Sequence, residues 1–471
     1  MTPDVLVIGA GPAGLAAARA ASRVGATVAL LDASDYVGGQ YWRHLPASRA
    51  ALDQSVLHHD WSSFLALRDE LEGDPRCDVV TSAHVVAIDG DGVHVLIGDS
   101  DGRDRERRVY RAAAVVLATG AFDRALPVPG WDLPGVFTAG GAQALAKGER
   151  VAVGERVVVA GTGPFLLPVA ASLGQAGSRV VGVFEASPAS RLLRHWLARP
   201  WEFGATPDKV GELARYAWGQ LRGRVPYHVG QAVTAIHGDD RVMSVTVSTL
   251  DSSWRPLARG SRTIEVDAVC LGHGFTPRLE LAIAAGCRLS AQRFVEVDAD
   301  QRTSATPYFA AGEITGIGGV DLALAEGAIA GHVAARGRAD DLELRHARHA
   351  RHALVRFAAR IDAAHAIGSN WSTWLTPATI VCRCEDVTFG DLLSVSRQSR
   401  ATGLRSLKLL SRAGLGPCQG RVCGRSVEAL LEVRAPGGHL TGGSTMDRRP
   451  ISTPVRLGEL ATWTSPEERR A

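Results

Sequence analysis

The chain has 471 residues and balances Lys+Arg 52 against Asp+Glu 49, a formal net charge of +3. That length predicts about two to four domains with sizeable cores, and so mild a charge excludes the concentrated basic face of a nucleic-acid binder. The 52 glycines follow no G-x-y period and sit in no low-complexity tract, which excludes collagen and disorder.

The first segment, residues 4–32, predicts a βαβ unit. Val5-Leu6-Val7-Ile8 is an apolar run of buried-strand type, Ala13 to Val24 has helical composition, and Thr27 to Leu31 is a second strand ending at Asp32. The apolar start is not a signal peptide, because it lacks a basic region and is broken by Gly9, Gly11, Pro12 and Gly14. A helix is expected around Trp61–Leu71, strands around a turn at residues 89–92, and another strand at 113–118 running into Thr119-Gly120. The pattern then restarts. Val157-Val158-Val159-Ala160 leads into Gly161-Thr162-Gly163-Pro164, a helix from Phe165 to about Ala176, and a strand Val180–Phe184 ending at Glu185. Residues 188–224 read as a helical insertion, a strand covers Val266–Leu271, and Ala311-Gly312-Glu313 opens a segment with a helix at about Leu322–Arg336. A charged and then Trp-bearing connector follows, then a small cysteine module, then a Gly/Pro-rich tail. No run reaches the ~18 apolar residues of a membrane span, and the cysteine spacing does not suit a secreted disulfide framework, so the expected location is cytoplasmic.

Gly9-Ala10-Gly11-Pro12-Ala13-Gly14 matches G-x-G-x-x-G in its full strand-to-helix setting. The first glycine permits the tight turn and the second lets a pyrophosphate reach the backbone. The third lets helix and strand pack closely, with the phosphate on the helix N-terminus. Asp32 stands where an acid can accept from a ribose. A tight turn without ligand is the bland alternative. In the second fingerprint, Gly161-x-Gly163-x-x-Leu166, leucine replaces the third glycine. It should hold helix and strand apart and weaken the phosphate cradle, while Glu185 would select NAD over NADP. NAD binding at this domain is therefore possible in principle but not favoured.

Gly38-Gly39-Gln40, Ala118-Thr119-Gly120 and Ala311-Gly312-Glu313 resemble the spaced elements of the two-dinucleotide-domain flavoproteins, which include thioredoxin and glutathione reductases. That resemblance implies FAD. The last element usually ends in Asp, so the longer Glu313 predicts a shifted or absent ribityl contact. The Cys-x-x-Cys of the disulfide reductases is missing, and isolated Cys77, Cys270 and Cys287 are expected to be inert apolar residues.

Cys382-Arg383-Cys384 and Cys418-Gln419-Gly420-Arg421-Val422-Cys423 present four thiols. Four thiolates can hold zinc or a [2Fe–2S] cluster, or remain free. Zinc knuckles favour Cys-x₂₋₄-Cys over Cys-x-Cys, and Gly414, Gly416 and Gly420 free backbone N–H groups to point at bridging sulfides. These segments resemble the bacterioferritin-associated-ferredoxin-like [2Fe–2S] module. They are most similar to the version fused to a flavoprotein in the A (alpha) subunits of octopine/nopaline oxidases and D-hydroxyproline dehydrogenases. Related chains occur in hydrogen cyanide synthase and heterotetrameric sarcosine oxidase. Residues 38–43, 161–168 and 449–455 fit the same group.

The resemblance implies an α/β fold with two Rossmann-like dinucleotide-binding domains, of glutathione/thioredoxin reductase type, plus a small helical C-terminal [2Fe–2S] module. The division is 1–120 with 277–345 for a split FAD-type domain, 121–276 for an NAD-like domain, 346–376 for the connector, 377–434 for the module and 435–471 for the tail. It implies FAD held by Gly9, Gly11, Pro12, Ala13, Gly14, Asp32, Gly39, Gln40, Arg43, Val86, Thr119, Gly120, Gly312 and Glu313. Cys382, Cys384, Cys418 and Cys423 would ligate the cluster, and FMN at a subunit interface stays open. The implied function is an electron-transfer subunit of an amine or imino-acid dehydrogenase. Its partner would be an amino-acid-oxidase-like flavoprotein B subunit, and whether a small ferredoxin-like third subunit joins them stays open. Two alternatives stand beside it: a stand-alone NADH-dependent reductase, and a non-catalytic zinc-binding scaffold. No residue pattern names a catalytic acid or base. Arg345, Arg348 and Arg351, interleaved with His346, His349 and His352, read as a solvated basic helix or a docking face. His273 could be chemical or structural.

Overall fold

The computed structural model describes residues 2–49, 54–223, 225–399, 404–432, 449 and 451–461. The first domain is built on a parallel five-stranded sheet. Its order is Tyr308–Ala310, Ala114–Leu117, Val5–Ile8, Val28–Leu31 and Cys77–Val80. Both faces are covered, so its three central strands are continuous buried apolar runs rather than alternating ones. The helix Pro12–Arg23 packs on Gly319–Ala334, where Gly327 and Gly331 face the backbone of Ala13 and Ala17. A three-stranded antiparallel sheet, Ala83–Asp89, Gly92–Ile97 and Glu106–Tyr110, completes this domain.

The second domain repeats the plan in the order Tyr227–Val229, Arg179–Glu185, Arg156–Gly161, Ala268–Gly272 and Val136–Thr138, again parallel. The predicted insertion forms the helices Ala189–Leu197 and Pro207–Arg222. A two-stranded antiparallel hinge, Ala121–Asp123 against Phe275–Pro277, joins the domains.

The connector is a 23-residue helix, Leu342–Ala364. It begins before the expected boundary at residue 346 because Asp341 caps it, its side chain accepting from the Glu343 N–H. His346, His349 and His352 are exposed on it, whereas Arg348 pairs with Asp300 and Arg351 reaches the buried Glu326. The arginine stripe is thus partly an internal clasp. Beyond the helix, Trp371 and Trp374 are core residues. Trp374 stacks on Trp254 at 5.8 Å and donates to the Trp254 carbonyl at 2.8 Å.

The cysteine module comprises the short strands Ile380–Cys382 and Val387–Thr388 and the helices Phe389–Ser399, Leu404–Ser411 and Gly424–Glu432. Its buried residues are continuous with the core of the second domain. Trp131, Val136 and Leu271 of the second domain form one buried cluster with Trp371, Val381, Leu407 and Val427. Truncating one of these tryptophans would cost about 3–5 kcal/mol, so the module is soldered to that domain. Of the tail, residues 451–461 lie on the antiparallel sheet of the first domain. Ser452 donates its N–H to the Val86 carbonyl at 2.8 Å, and Glu459 pairs with Arg105 at 2.6 Å. The rest of the expected tail lies outside the described residues.

Candidate functional site

The first fingerprint closes as its glycines require. Gly9 has φ +104, and a Cβ at Gly14 would stand 1.7 Å from the Gly9 carbonyl oxygen, so strand and helix meet only if position 14 is bare. Asp32 accepts from the Ala10 N–H at 2.6 Å and the Ser34 N–H at 2.7 Å. Each carboxylate oxygen keeps a lone pair for a ribose hydroxyl. These groups line a cavity of about 1740 Å³ that extends between the two domains. All the predicted nucleotide residues line it except Gly14, Arg43 and Val86. Gly14 is a packing residue, Arg43 lies against Gly148, and Val86 turns its carbonyl to Ser452.

Glu313 does not extend across this cavity. It folds back to accept from the Gly319 N–H at 2.9 Å and the Gly318 N–H at 3.4 Å. Burial pushes its carboxyl up to about 7, with the neighbouring Glu326 adding to the rise. Glu326 holds the same turn from below, accepting from the Gly312 N–H at 3.0 Å and the Thr315 hydroxyl at 2.7 Å.

The second fingerprint is spent on the protein itself. Glu185, with no exposed surface, accepts from the Thr162 hydroxyl, the Gly163 N–H and the Ser187 N–H, each at 2.8 Å. His365 Nδ1 stands 3.1 Å from its second oxygen, and the Thr162 hydroxyl also lies 3.0 Å from the His365 carbonyl. Burial raises the Glu185 carboxyl, but His365 and the N–H donors outweigh this and hold it below the ordinary range. The N–H that would cradle a phosphate therefore serves an internal carboxylate, and the end of the connector rests on it. Leu166 starts the helix as a core residue. His273 is buried and accepts from the Leu126 N–H at 3.3 Å, a structural tie across the hinge.

The four module cysteines gather at one place and line one small cavity with Trp131 and Phe137. Cys382 and Cys423 are buried, Cys418 is half-buried and Cys384 is exposed. Cys382 and Cys418 both lie within reach of the Cys423 thiol, whose one proton can serve either, and this contact draws both their thiols below the ordinary range. Backbone N–H groups of Gly414, Glu385 and Cys384 point at Cys382, and those of Val422 and Gly420 at Cys418. A Cβ on Gly416 would stand 2.3 Å from the Cys384 Cβ, so this loop closes only around glycine. Four thiols at one place could hold zinc or a sulfur-bridged iron pair. The donor set suits a larger, anionic, sulfur-bridged group, and the aimed N–H groups lower the cost of its charge. By contrast Cys270 and Cys287 are buried and Cys77 half-buried, and burial raises all three thiols, Cys77 to about 12. They are inert, as expected.

Arg421 ties the two centres together. Lying between Cys418 and Cys423 in sequence, it pairs with Glu280 at 2.9 Å and donates to the Cys418 and Ser452 carbonyls. Its guanidinium stands 5.9 Å from the ring of Phe122 on the hinge, and both residues line the large cavity. Arg278 covers the same ring at 4.0 Å, and its carbonyl accepts from Thr119 at 2.9 Å.

Two dinucleotide-binding folds on an antiparallel hinge, one open and one internally satisfied, with a four-thiol module on the second, define an oxidoreductase of the flavoprotein class. Residues 3–336 match the pyridine nucleotide-disulphide oxidoreductase family and residues 380–433 the BFD-like [2Fe-2S] binding domain. The chain belongs to the pyridine nucleotide-disulphide oxidoreductase family, with FAD and a [2Fe–2S] cluster as its cofactors. It is 32% identical over 452 residues to hydrogen cyanide synthase subunit HcnB of Pseudomonas aeruginosa, covering 93% of this chain and 94% of that one. It is 33% identical over 482 residues to the opine oxidase A subunit of Rhizobium meliloti, covering 97% and 87%. Among solved structures, L-proline dehydrogenase from P. horikoshii superposes with a TM-score of 0.65 at 21% identity, over 98% of this chain and 79% of that one. The relatives are subunits of multi-subunit oxidases. Among the described residues no helix is long and apolar enough to cross a membrane.

Proposed function

We propose that this chain is the electron-transfer subunit of an amine or imino-acid dehydrogenase of the opine or D-hydroxyproline type. It takes electrons from a separate amino-acid-oxidase-like flavoprotein subunit. The observation that carries this is the fusion of the cluster loop to the wall of the nucleotide cavity through Arg421, Phe122 and Arg278. When bound, FAD exchanges electrons in pairs or singly and the cluster carries one at a time. Gly9, Gly11 and the start of the Pro12–Arg23 helix receive the pyrophosphate, Asp32 the adenosine ribose, and Gly39, Gln40, Thr119 and Gly312 line the remaining length. Cys382, Cys384, Cys418 and Cys423 would hold the cluster, and Cys384 is the exposed one of the four.

The occupied second fingerprint speaks against the reductase alternative, because Gly163 and Glu185 are not free for NADH. The deciding experiment is purification from the native source with cofactor analysis, followed by anaerobic addition of NADH to the isolated chain. The expected result is copurification of an amino-acid-oxidase-like protein, together with a flavin that NADH leaves oxidised. A homogeneous homodimer whose flavin bleaches promptly with NADH would overturn the proposal.

A further inference from the structure

The helical insertion after Glu185 turns its apolar side outward. A surface helix normally lays its apolar stripe on the core. In Ala189–Leu197 the half-buried residues are Arg191, Leu192, His195 and Trp196, and Trp196 stands edge-on to Phe357 of the Leu342–Ala364 helix at 6.0 Å. Leu193, Leu197 and then Trp201, in the 3₁₀ turn Pro200–Ala205, follow one another at four-residue intervals and are 58%, 63% and 72% exposed. Together they leave roughly 400 Å² of apolar surface in water, a patch of the size that marks an interaction site. The charge beside it has one sign. Residues 188–201 hold Arg191, Arg194 and Arg199 and no acid. Arg191 is spent on the carbonyls of Ala366 and Ser252, and Arg194 is exposed. Arg199, Arg356 and Arg360 share the one carboxylate of Glu202, at 3.6, 3.0 and 2.5 Å, which leaves a positive excess next to Trp201. Of the remaining acids on these elements, Glu212 holds Lys209 and Glu343 holds Arg23, while Asp208 and Asp362 stand near helix ends.

We infer that Leu193, Leu197 and Trp201, flanked by Arg194, Arg199 and Arg356, dock this chain on the surface of an anionic lipid bilayer. Leucine and tryptophan outward, arginine alongside and no acid in the segment is the pattern of a helix that lies in the headgroup plane. Its apolar side enters the acyl boundary and its cations meet the lipid phosphates. The patch is about half of the roughly 800 Å² that each partner gives to a stable protein interface, and a fluid lipid surface needs no complementary shape. The contact is peripheral, because the helix has 9 residues and cannot span a bilayer. It is independent of the electron-transfer reading, since it concerns where the chain sits and not what it carries.

The test is flotation of the full, cofactor-loaded chain with vesicles of phosphatidylglycerol and phosphatidylcholine in equal parts, and in parallel with phosphatidylcholine alone, at low and high salt. The chain should float with the anionic vesicles at low salt, far less with the neutral ones, and salt should release it. Leu197→Gln combined with Trp201→Ser removes most of the stripe and should weaken binding at least about tenfold. Arg194→Glu, which leaves the stripe intact, should weaken it about tenfold. Both changes lie on the surface, so Tm and the visible spectrum should stay those of the parent, which separates lost docking from lost fold. The inference is overturned if the chain does not float with anionic vesicles, if neutral vesicles take it equally, or if both variants bind like the parent. It is also overturned if, without vesicles, the stripe variant breaks up an assembly that the parent forms, because a protein surface then covers the stripe.

Discussion

Replacing Glu185 by Gln tests whether the second fingerprint is a nucleotide site or a structural knot. The carboxylate accepts from Thr162 and Ser187 on one oxygen, and from Gly163 and His365 on the other, at 2.8–3.1 Å. An amide must place its NH₂ on one side or the other. Either orientation leaves a backbone N–H, of Ser187 or Gly163, facing a donor inside the core, and forces the Thr162 hydroxyl or the His365 ring nitrogen on that side to turn from donor to acceptor. Charge-assisted hydrogen bonds contribute about 1.5–3 kcal/mol each, and removal of the buried charge offsets part of the loss, so a net cost of about 3 kcal/mol is expected. At roughly 2–4 °C per kcal/mol for a domain of this size, Tm should fall by about 6–12 °C. Calorimetry gives the shift, and an anaerobic NADH titration of parent and variant gives the functional arm, with no flavin reduction expected in either. An unchanged Tm together with a parental NADH response that the variant loses would refute the reasoning. That outcome would place a nicotinamide nucleotide's ribose on Glu185.

Cys418→Ser should abolish the cluster's visible absorbance and bring iron from two per chain to near zero, because the hydroxyl is a poor ligand for a sulfur-bridged pair; one zinc and no iron in the parent would contradict it. Glu313→Gln should act through pH. The folded carboxyl holds its proton up to about 7, against 4.5 for the ordinary group, so the folded state binds more protons and stability falls as pH rises between those values. The amide oxygen can still accept from Gly318 and Gly319. The variant should therefore match the parent near pH 4 and exceed it at pH 8 by up to about 3 kcal/mol, and a denaturation series across pH that shows no such divergence would refute it.

What was legible in the sequence is what recurs within a short span. Gly9 to Gly14 and Cys418 to Cys423 fix backbone geometry within six residues, so spacing alone carries the chemistry. Asp32 and Glu185 were visible as strand-ending acids, but their fates differ through partners that spacing does not reveal. Asp32 accepts from N–H groups of its own βαβ unit, those of Ala10 and Ser34, whereas Glu185 meets His365, 180 residues away. The tryptophans at 371 and 374 looked like part of a connector because charged helix flanks them, and their partner Trp254 lies in another domain. Arg421 was in plain view inside the ligand loop, yet only the folded hinge shows it against Phe122 and Glu280.

That last placement bears on timing. Arg421 and Arg449 both grip Glu280, just past the hinge strand Phe275–Pro277, while Arg421 belongs to the loop that carries Cys418 and Cys423. A swing of one domain against the other would have to break these buried ion pairs or drag the sulfur loop with it. Electron tunnelling slows exponentially with separation, so a clasp at the pivot acts as a spacer of constant length. Under the proposed electron-transfer function, the chain would act as a conductor of fixed length rather than one that swings between positions.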